Sequence, residues 1–420
     1  NAWKIIDLRK KILYTILMII IFRLGSCIPV PLLDPAAMKE IFTSDNSLFG
    51  FIDVISGGAF QNATIFAMSI TPYINSSIIM QLLTVAIPAL ERLQKQGEDG
   101  RKKIAQITRY GTVVLAFIQA IGLYFMLKSY NAVTNPGLLT AVVVIFTFTA
   151  GTAFLMWLGE QITEKGVGNG ISLIIFAGIV SRLPSMAQSL YAYAKGGGIG
   201  LIGVVALLIM IVVVVGLVVM MNEAERRIPV QYAKRVVGRK MYGGQSTHIP
   251  IKVASAGVIP IIFAMSIMSF PSTIAGFFGV TSQTGGFWGG FLKIFSSTSW
   301  VYAILYFLLI IFFTYFYTAI QFNPIEMSNN MKKNGGFIPG IRPGRPTSEY
   351  ISKTLSRITL VGAIFLGLIA ILPIFINLGL GINNFAIGGT SLLIVVGVAL
   401  ETVKDMESQM LMRHYKGFLE

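Results

Sequence analysis

Residues 199–221 read IGLIGVVALLIMIVVVVGLVVMM, without one ionisable side chain. A helix rises about 1.5 Å per residue, so this run covers roughly the 30 Å of hydrocarbon in a bilayer. Within it, residues 209–219 show no alternation of apolar and polar positions, which excludes a strand of a membrane barrel. Nine further apolar runs occur, at 12–28, 63–87, 110–127, 138–159, 171–181, 253–278, 299–322, 358–378 and 384–400. Composition agrees: 54% hydrophobic and 12% charged residues, with a mean hydropathy of +0.73, do not describe a soluble domain of this size. The chain reads as an all-α polytopic membrane protein with ten transmembrane helices.

Charge gives the orientation. Of the 33 lysines and arginines, only Lys39, Lys128, Arg182, Lys195 and Lys293 occupy the odd-numbered gaps, and only Arg23 lies inside a run. The remaining 27 fall in the tails and the even-numbered gaps. Positive charge is retained on the cytoplasmic side, so both tails are expected there. Orientation accounts for about half of the net charge of +15; the excess sits in two long inner loops, 222–252 and 323–357. Loops that merely join helices need only a few residues, so these are expected to protrude and dock an acidic partner, with attraction to anionic lipid as the alternative. Gly340, Pro343 and Gly344 around Arg342 predict a fixed turn that presents that side chain.

What the spans lack narrows the function further. Runs 63–87, 138–159, 199–221, 253–278 and 299–322 contain no Asp, Glu, Lys, Arg or His, whereas ion-coupled carriers place such groups at the midplane. Both histidines, His248 and His414, fall in basic gaps, and no pattern resembles a catalytic constellation. No enzyme activity, metal or cofactor is expected. The segment Gly166-Val167-Gly168-Asn169-Gly170 lacks the Lys-Ser/Thr ending of a phosphate loop and reads as a tight turn before the fifth helix. Cys27 permits no internal disulfide and reads as a buried, inert thiol. The first run is followed by Pro29 and Pro31 rather than a small-residue cleavage site, so it reads as a retained helix. A short piece is expected to precede Asn1.

Residues 47–60 are partly apolar yet carry Asp53 and the pair Gly57-Gly58. They are too short to cross the bilayer, and paired glycines break a helix. A re-entrant half-helix is the reading, with a plain turn as the alternative; non-helical backbone at membrane depth implies a cavity inside the bundle. In the following run, Pro72 removes a backbone donor that Asn75, Ser76 and Ser77 can offset, which predicts a kinked helix with one polar face.

Several motifs in one order carry a family likeness. They are Gly57-Gly58, Thr71-Pro72-Tyr73-Ile74, Gln81-Leu82-Leu83-Thr84, Trp157-Leu158-Gly159-Glu160-Gln161-Ile162-Thr163-Glu164, Gly168-Asn169-Gly170-Ile171-Ser172, Tyr232-Ala233-Lys234-Arg235, Gln245-Ser246-Thr247-His248, Ala256-Gly257-Val258-Ile259-Pro260 and Pro339-Gly340-Ile341-Arg342-Pro343-Gly344. From about Trp3 to the last span, the sequence resembles the bacterial SecY family of protein-conducting channels.

That resemblance implies a bacterial inner-membrane channel that passes unfolded polypeptides and releases transmembrane segments sideways into lipid. It implies two pseudo-symmetric inverted halves, 1–182 and 183–404, with a tail at 405–420, a central pore, and a lateral gate between the second and seventh helices. Carried over by position, the pore ring falls on Ile70, Ile74, Ile171, Ile175, Ile262 and Ile394. The plug falls on about residues 49–60, including Phe49, Asp53, Ser56, Gly57, Gly58 and Phe60. Gate candidates are Asn75, Ser76 and Gln119, for which interhelical packing is the alternative. Inner docking is placed on Tyr232, Lys234, Arg235, Arg239, Arg342 and Arg345. Implied partners are the small membrane subunits SecE and SecG, the SecA motor ATPase, the ribosome, signal sequences, the nascent polypeptide and membrane lipid.

Read from the residues alone, Ile70/Ile74 and Ile171/Ile175 are i, i+4 pairs on one helix face, although each isoleucine by itself suits ordinary packing. Branched aliphatic side chains offer an ion no replacement for its hydration shell, so a ring of them seals by dewetting. The competing functions are a secondary transporter for a small solute and a membrane scaffold that recruits a cytoplasmic ATPase.

Overall fold

The computed structural model describes residues 5–34, 37, 56–129, 131–185, 187–188, 191, 201–232, 235–237, 240–242, 246–254, 257–277, 290, 292, 295, 299–380 and 389–416. Among them the helices in chain order are α1 (Ile6–Gly25), α2 (Thr71–Ala86), α3 (Pro88–Lys95), α4 (Glu98–Ser129), α5 (Leu138–Lys165), α6 (Gly170–Ser181), α7 (Leu201–Glu223), α8 (Ile259–Phe277), α9 (Trp300–Gln321), α10 (Pro324–Lys333), α11 (Arg345–Leu380) and α12 (Gly389–Lys416). All but α3 and α10 overlie the ten apolar runs. Five segments are long and apolar enough to cross a bilayer alone, and α2 with α3 forms a further candidate, bent by 100°.

Several hydroxyl groups within the spans are satisfied within their own helix, although Thr152 of α5 and Tyr306 of α9 are buried without a hydrogen-bond partner among the described residues. Thr112, Thr314 and Thr318, all buried, each donate to the carbonyl one turn back, at 2.7, 2.6 and 2.7 Å, which satisfies hydroxyls that meet no water inside the bundle. Helix starts use side-chain caps where the chain turns sharply. Asn169 accepts from the Ile171 and Ser172 amides at α6, and Asn323 does the same for Ile325 and Glu326 at α10. The run 166–169 is indeed a turn, with Gly168 at φ 72. A Cβ on Gly170 would overlap the Gly159 carbonyl, so α5 and α6 meet backbone to backbone only because that residue is glycine.

The second run departs from its expectation. No continuous helix is kinked at Pro72; residues 57–70 are turns, and Pro72 sits in the first turn of α2. Proline is tolerated there because the first amides of a helix have no partner to lose. Ala63 and Ser69 adopt positive φ, 50 and 53, which ends any helix entering from the N-terminal side. Cys27 is also corrected: it is exposed, in the turn that follows the C-terminal end of α1.

Helices α1 to α6 pack on one another, chiefly α2 and α5 on α4 and α6 on α5, while α9 packs on α8 and α11, and α12 on α7. Two seams join these groups, α8 against α4 and α2 on one side and α12 against α6 on the other. A single apolar cluster fills the space between, drawing on α1, α2, α5, α6, α7, α8, α9, α11 and α12.

The two long basic loops fold together. Strand β1 (Glu225–Tyr232) pairs antiparallel with β4 (Ser246–Lys252), and β5 (Gly336–Phe337) from the second loop joins the other edge of β1. Between β1 and β4, β2 (Arg235–Val237) and β3 (Lys240–Tyr242) form a hairpin. Ile228, Val230 and Ile251 of the sheet pack with Met331 of α10, Ile338, and Ile351 and Leu355 of α11 in a core of their own. The loops are therefore one small folded unit that continues directly from α7 and α11.

Candidate functional site

Four of the six isoleucines belong to the apolar cluster between the helix groups, and the other two pack against it. Ile70 precedes α2, and its carbonyl accepts the Ile74 amide at 3.0 Å, which sets the two side chains one turn apart. Ile171 and Ile175 occupy the first two turns of α6, placed by the Asn169 cap. Ile262 begins α8, its amide bonded to the Val258 carbonyl at 3.3 Å, and Ile394 lies in α12. Ile70, Ile74, Ile175 and Ile394 are buried, at 1, 8, 3 and 1% exposure; Ile171 and Ile262 are half-buried against the same cluster. By contrast Ile209 of α7 is 59% exposed, although nothing in its local sequence separates it from the six.

Of the plug positions, Phe49 and Asp53 lie outside the described residues. Ser56, Gly57, Gly58 and Phe60 form the turn that leads toward α2. Ser56 is fully buried, and its Oγ accepts the Phe60 amide at 3.2 Å. The Phe60 ring enters a second apolar cluster with Val30, Leu33, Met68, Leu127 and Phe148. Gly57 and Gly58 hold φ of 68 and 88, values that glycine adopts without strain. Arg23 reaches this turn from α1, and Nη1 donates to the Gly57 carbonyl at 3.2 Å. The sequence signal for that contact was available, since an ionisable group inside a membrane run is a functional candidate by default.

Of the gate positions, Ser76 is buried and donates to the Thr108 carbonyl at 2.9 Å, joining α2 to α4. Asn75 and Gln119 are half-buried on α2 and α4. Nearby, Arg109 of α4 and Glu160 of α5 form an ion pair at 2.7 Å, which sequence reading passed over. Helix α8 touches α2 lightly and α4 more extensively.

On the small folded unit, Arg342 is exposed in a turn fixed by Gly340 and Gly344, at φ 83 and 108. Its carbonyl accepts from Thr347 Oγ1 at 2.8 Å, so the backbone is held while the guanidinium projects. Arg345 is exposed and pairs with Glu349 at 3.0 Å. Tyr232 is half-buried at the end of β1. Arg235 opens β2, its side chain outside the described residues, as are Lys234 and Arg239. Among the described residues no group of three His, Cys, Asp or Glu side chains gathers as a metal site.

An apolar cluster between two joined sets of membrane helices, with a non-helical segment folded in beside it, is compatible with a channel fold. A solved structure of a protein-conducting channel matches with a TM-score of 0.66 and 19% identity, covering 97% of this chain and 93% of that one. A second, of a SecY protein whose plug domain stabilises the closed channel and maintains a membrane seal, matches equally well. The chain belongs to the SecY family, whose profile matches residues 64–403. Protein translocase subunit SecY of Halalkalibacterium halodurans is 47% identical over all of this chain and 99% of its own length. That of Streptomyces coelicolor is 48% identical over all of this chain and 98% of its length.

Proposed function

We propose that this chain forms the pore of a protein translocase in the cytoplasmic membrane. Unfolded polypeptide enters from the basic side, displaces the segment at 49–60, and passes the waist formed by Ile70, Ile74, Ile171, Ile175, Ile262 and Ile394. The observation that supports this reading is that Ile70, Ile74, Ile175 and Ile394 are buried in the apolar cluster shared by the two helix groups, with Ile171 and Ile262 packed against it. Such a throat denies ions a substitute for water while offering a sliding peptide no hydrogen bond to stick to. Apolar segments leave sideways between α2 and α8, a partition into lipid favoured by about 0.8 kcal/mol per buried CH2. The chain itself performs no chemistry. Residues 1–182 and 183–404 are the two moving halves, and residues 405–420 form a tail.

Both termini are cytoplasmic in this reading, as the basic gaps require. The sheet-bearing unit then faces the cytoplasm, where exposed Arg342 and its neighbours dock the SecA motor or the ribosome; phosphate-rich RNA would be held with marked salt sensitivity. The small partners SecE and SecG join the chain in the membrane, and one of them clamps the two halves together. A photoreactive residue placed at Ile74 or Ile175 should capture a translocating chain stalled midway, and one at Val212 on the exposed face of α7 should not. Equal capture at all three positions, or capture of a small solute only, would remove the conduit reading.

A further inference from the structure

Arg23 stands in the last turn of α1, inside an apolar run. A guanidinium at that depth is costly unless the protein solvates it. Here it is solvated by neutral acceptors: Nη1 donates to the Gly57 carbonyl at 3.2 Å and to Ser181 Oγ at 2.9 Å. The Ser181 hydroxyl in turn donates to the Gly178 carbonyl at 2.6 Å, so its lone pairs are aimed at the arginine. One side chain thus ties α1, the turn at the C-terminal end of the proposed plug, and the end of α6.

Glycine is required at position 57 twice over. Its φ of +68 lies in the left-handed region, and a Cβ would stand 2.7 Å from Arg23 Nη1, 2.8 Å from Ser181 Oγ and 3.1 Å from Gly178 Cα. Part of the Gly-Gly signature is therefore a seat for a guanidinium, beyond its role as a helix break. Four residues on, Arg182 Nη2 donates to Gln61 Oε1 at 3.3 Å, a second attachment of the same turn to the end of α6. Bonds from a charged donor are about twice as strong as neutral ones.

We propose that Arg23 is a positioning residue for the channel seal: it pins the turn at 57–61 against α6 and so holds the closed arrangement on the non-basic side of the waist. The inference rests on the plug reading given above. When the plug segment moves, the Arg23 bond to Gly57 must stretch or break, and on return the same bond restores the register.

The test uses the full chain reconstituted in lipid vesicles, with resting ion leak and hydrogen exchange of the amides of residues 57–61 measured together. Arg23→Met should raise both by about tenfold, the loss of one hydrogen bond to a charged group. Gly57→Ala should reproduce the effect, and Arg23→Lys, which keeps a charged donor, should stay within about threefold of the parent. A chain lacking residues 49–60 should leak, and adding Arg23→Met to it should change nothing further. If that deletion leaks while Arg23→Met neither leaks nor exchanges faster, the pin is overturned and the plug reading stands. If the deletion does not leak but Arg23→Met still speeds exchange at 57–61, the plug reading fails and the pin stands. Should Arg23→Met not fold, Ser181→Ala carries the test, and unchanged exchange at 57–61 in that variant overturns the proposal.

Discussion

Replacing Ile394 by alanine removes three carbons from a side chain that is 1% exposed. Those carbons lie in the apolar cluster; if the proposed waist is right, they stay there when the channel is closed and meet water when it is wetted. At ~0.8 kcal/mol per carbon, the closed state loses up to ~2.4 kcal/mol relative to the wetted one. Since each 1.4 kcal/mol is a factor of ten, resting ion leak should rise by roughly ten- to fiftyfold. Ile394→Val removes a single carbon and should raise leak by at most about fourfold on the same scale. The control is Ile209→Ala on α7, the same chemical change at a position 59% exposed, which should leave leak at the parent level. The assay is ion efflux from vesicles holding equal amounts of each variant, with thermal unfolding measured alongside to show that all are folded. The reasoning is refuted if Ile394→Ala leaks no more than Ile209→Ala in folded protein, because burial at the waist would then have no bearing on the seal.

Two further outcomes follow from the basic side of the molecule. Asp405→Ala removes the acceptor shared by the Gly168 amide at 2.9 Å and the Gln409 side chain at 3.0 Å; exchange of the Gly168 amide should accelerate at least about tenfold, for a bond to a charged group worth about 1.5–3 kcal/mol, and an unchanged rate would show that the turn holds itself. Arg342→Glu reverses an exposed charge on a fixed turn and should lower motor-driven export several-fold, roughly the scale of a rim charge that sets association rate. Insertion of the protein into the membrane should stay normal, and normal export would remove Arg342 from the docking surface.

The apolar helices were legible because such a helix announces itself by length and apolarity, a property of contiguous residues; five segments and one bent pair meet that test in the structure, and the ten-span count rests on the shorter runs as well. The waist was not legible in that way. Ile74 and Ile394 differ from Ile209 only in what the other helices bring to them, and that information is spread over residues from 70 to 394. Only the ordered motifs of the family pointed to the six positions. The start of the second run failed for a related reason. Ala63 and Ser69 are ordinary residues forced to positive φ, a conformation that costs about 1–2 kcal/mol and that no residue preference predicts. Tertiary packing imposes it: Gly151 of α5 lies so near the Ile65 carbonyl that even a Cβ would overlap it. The sheet on the basic side was partly readable, since Ile228 and Val230 alternate with exposed neighbours along β1. Its completion by β5 joins Tyr232 to Gly336, a pairing across the whole of α8, α9 and α10 that no local pattern carries.

The contacts described at the two seams between the helix groups differ in kind, and that difference bears on how the proposed waist would open. On the α12 side, directional bonds cross between the groups: the Gly168 amide before α6 donates to Asp405, and Lys11 of α1 donates to Gln409 at 3.1 Å. Close by, Thr15 of α1 accepts the Val167 amide at 3.1 Å, which locks the same turn to the first helix. On the α8 side, Ile74 and Ile78 of α2 belong to the same apolar cluster as Ile261, Ala264 and Met268 of α8. Apolar packing is non-directional and tolerates sliding or re-solvation by another apolar surface, whereas a hydrogen bond is lost outright once its geometry fails. An incoming apolar helix can therefore replace α8 against α2 at little net change in buried area, but nothing apolar can replace Asp405 at Gly168. Separation of the groups should begin at α8 and pivot about α12, which places the proposed sideways exit on the seam where lipid-like contacts already hold the two sides together.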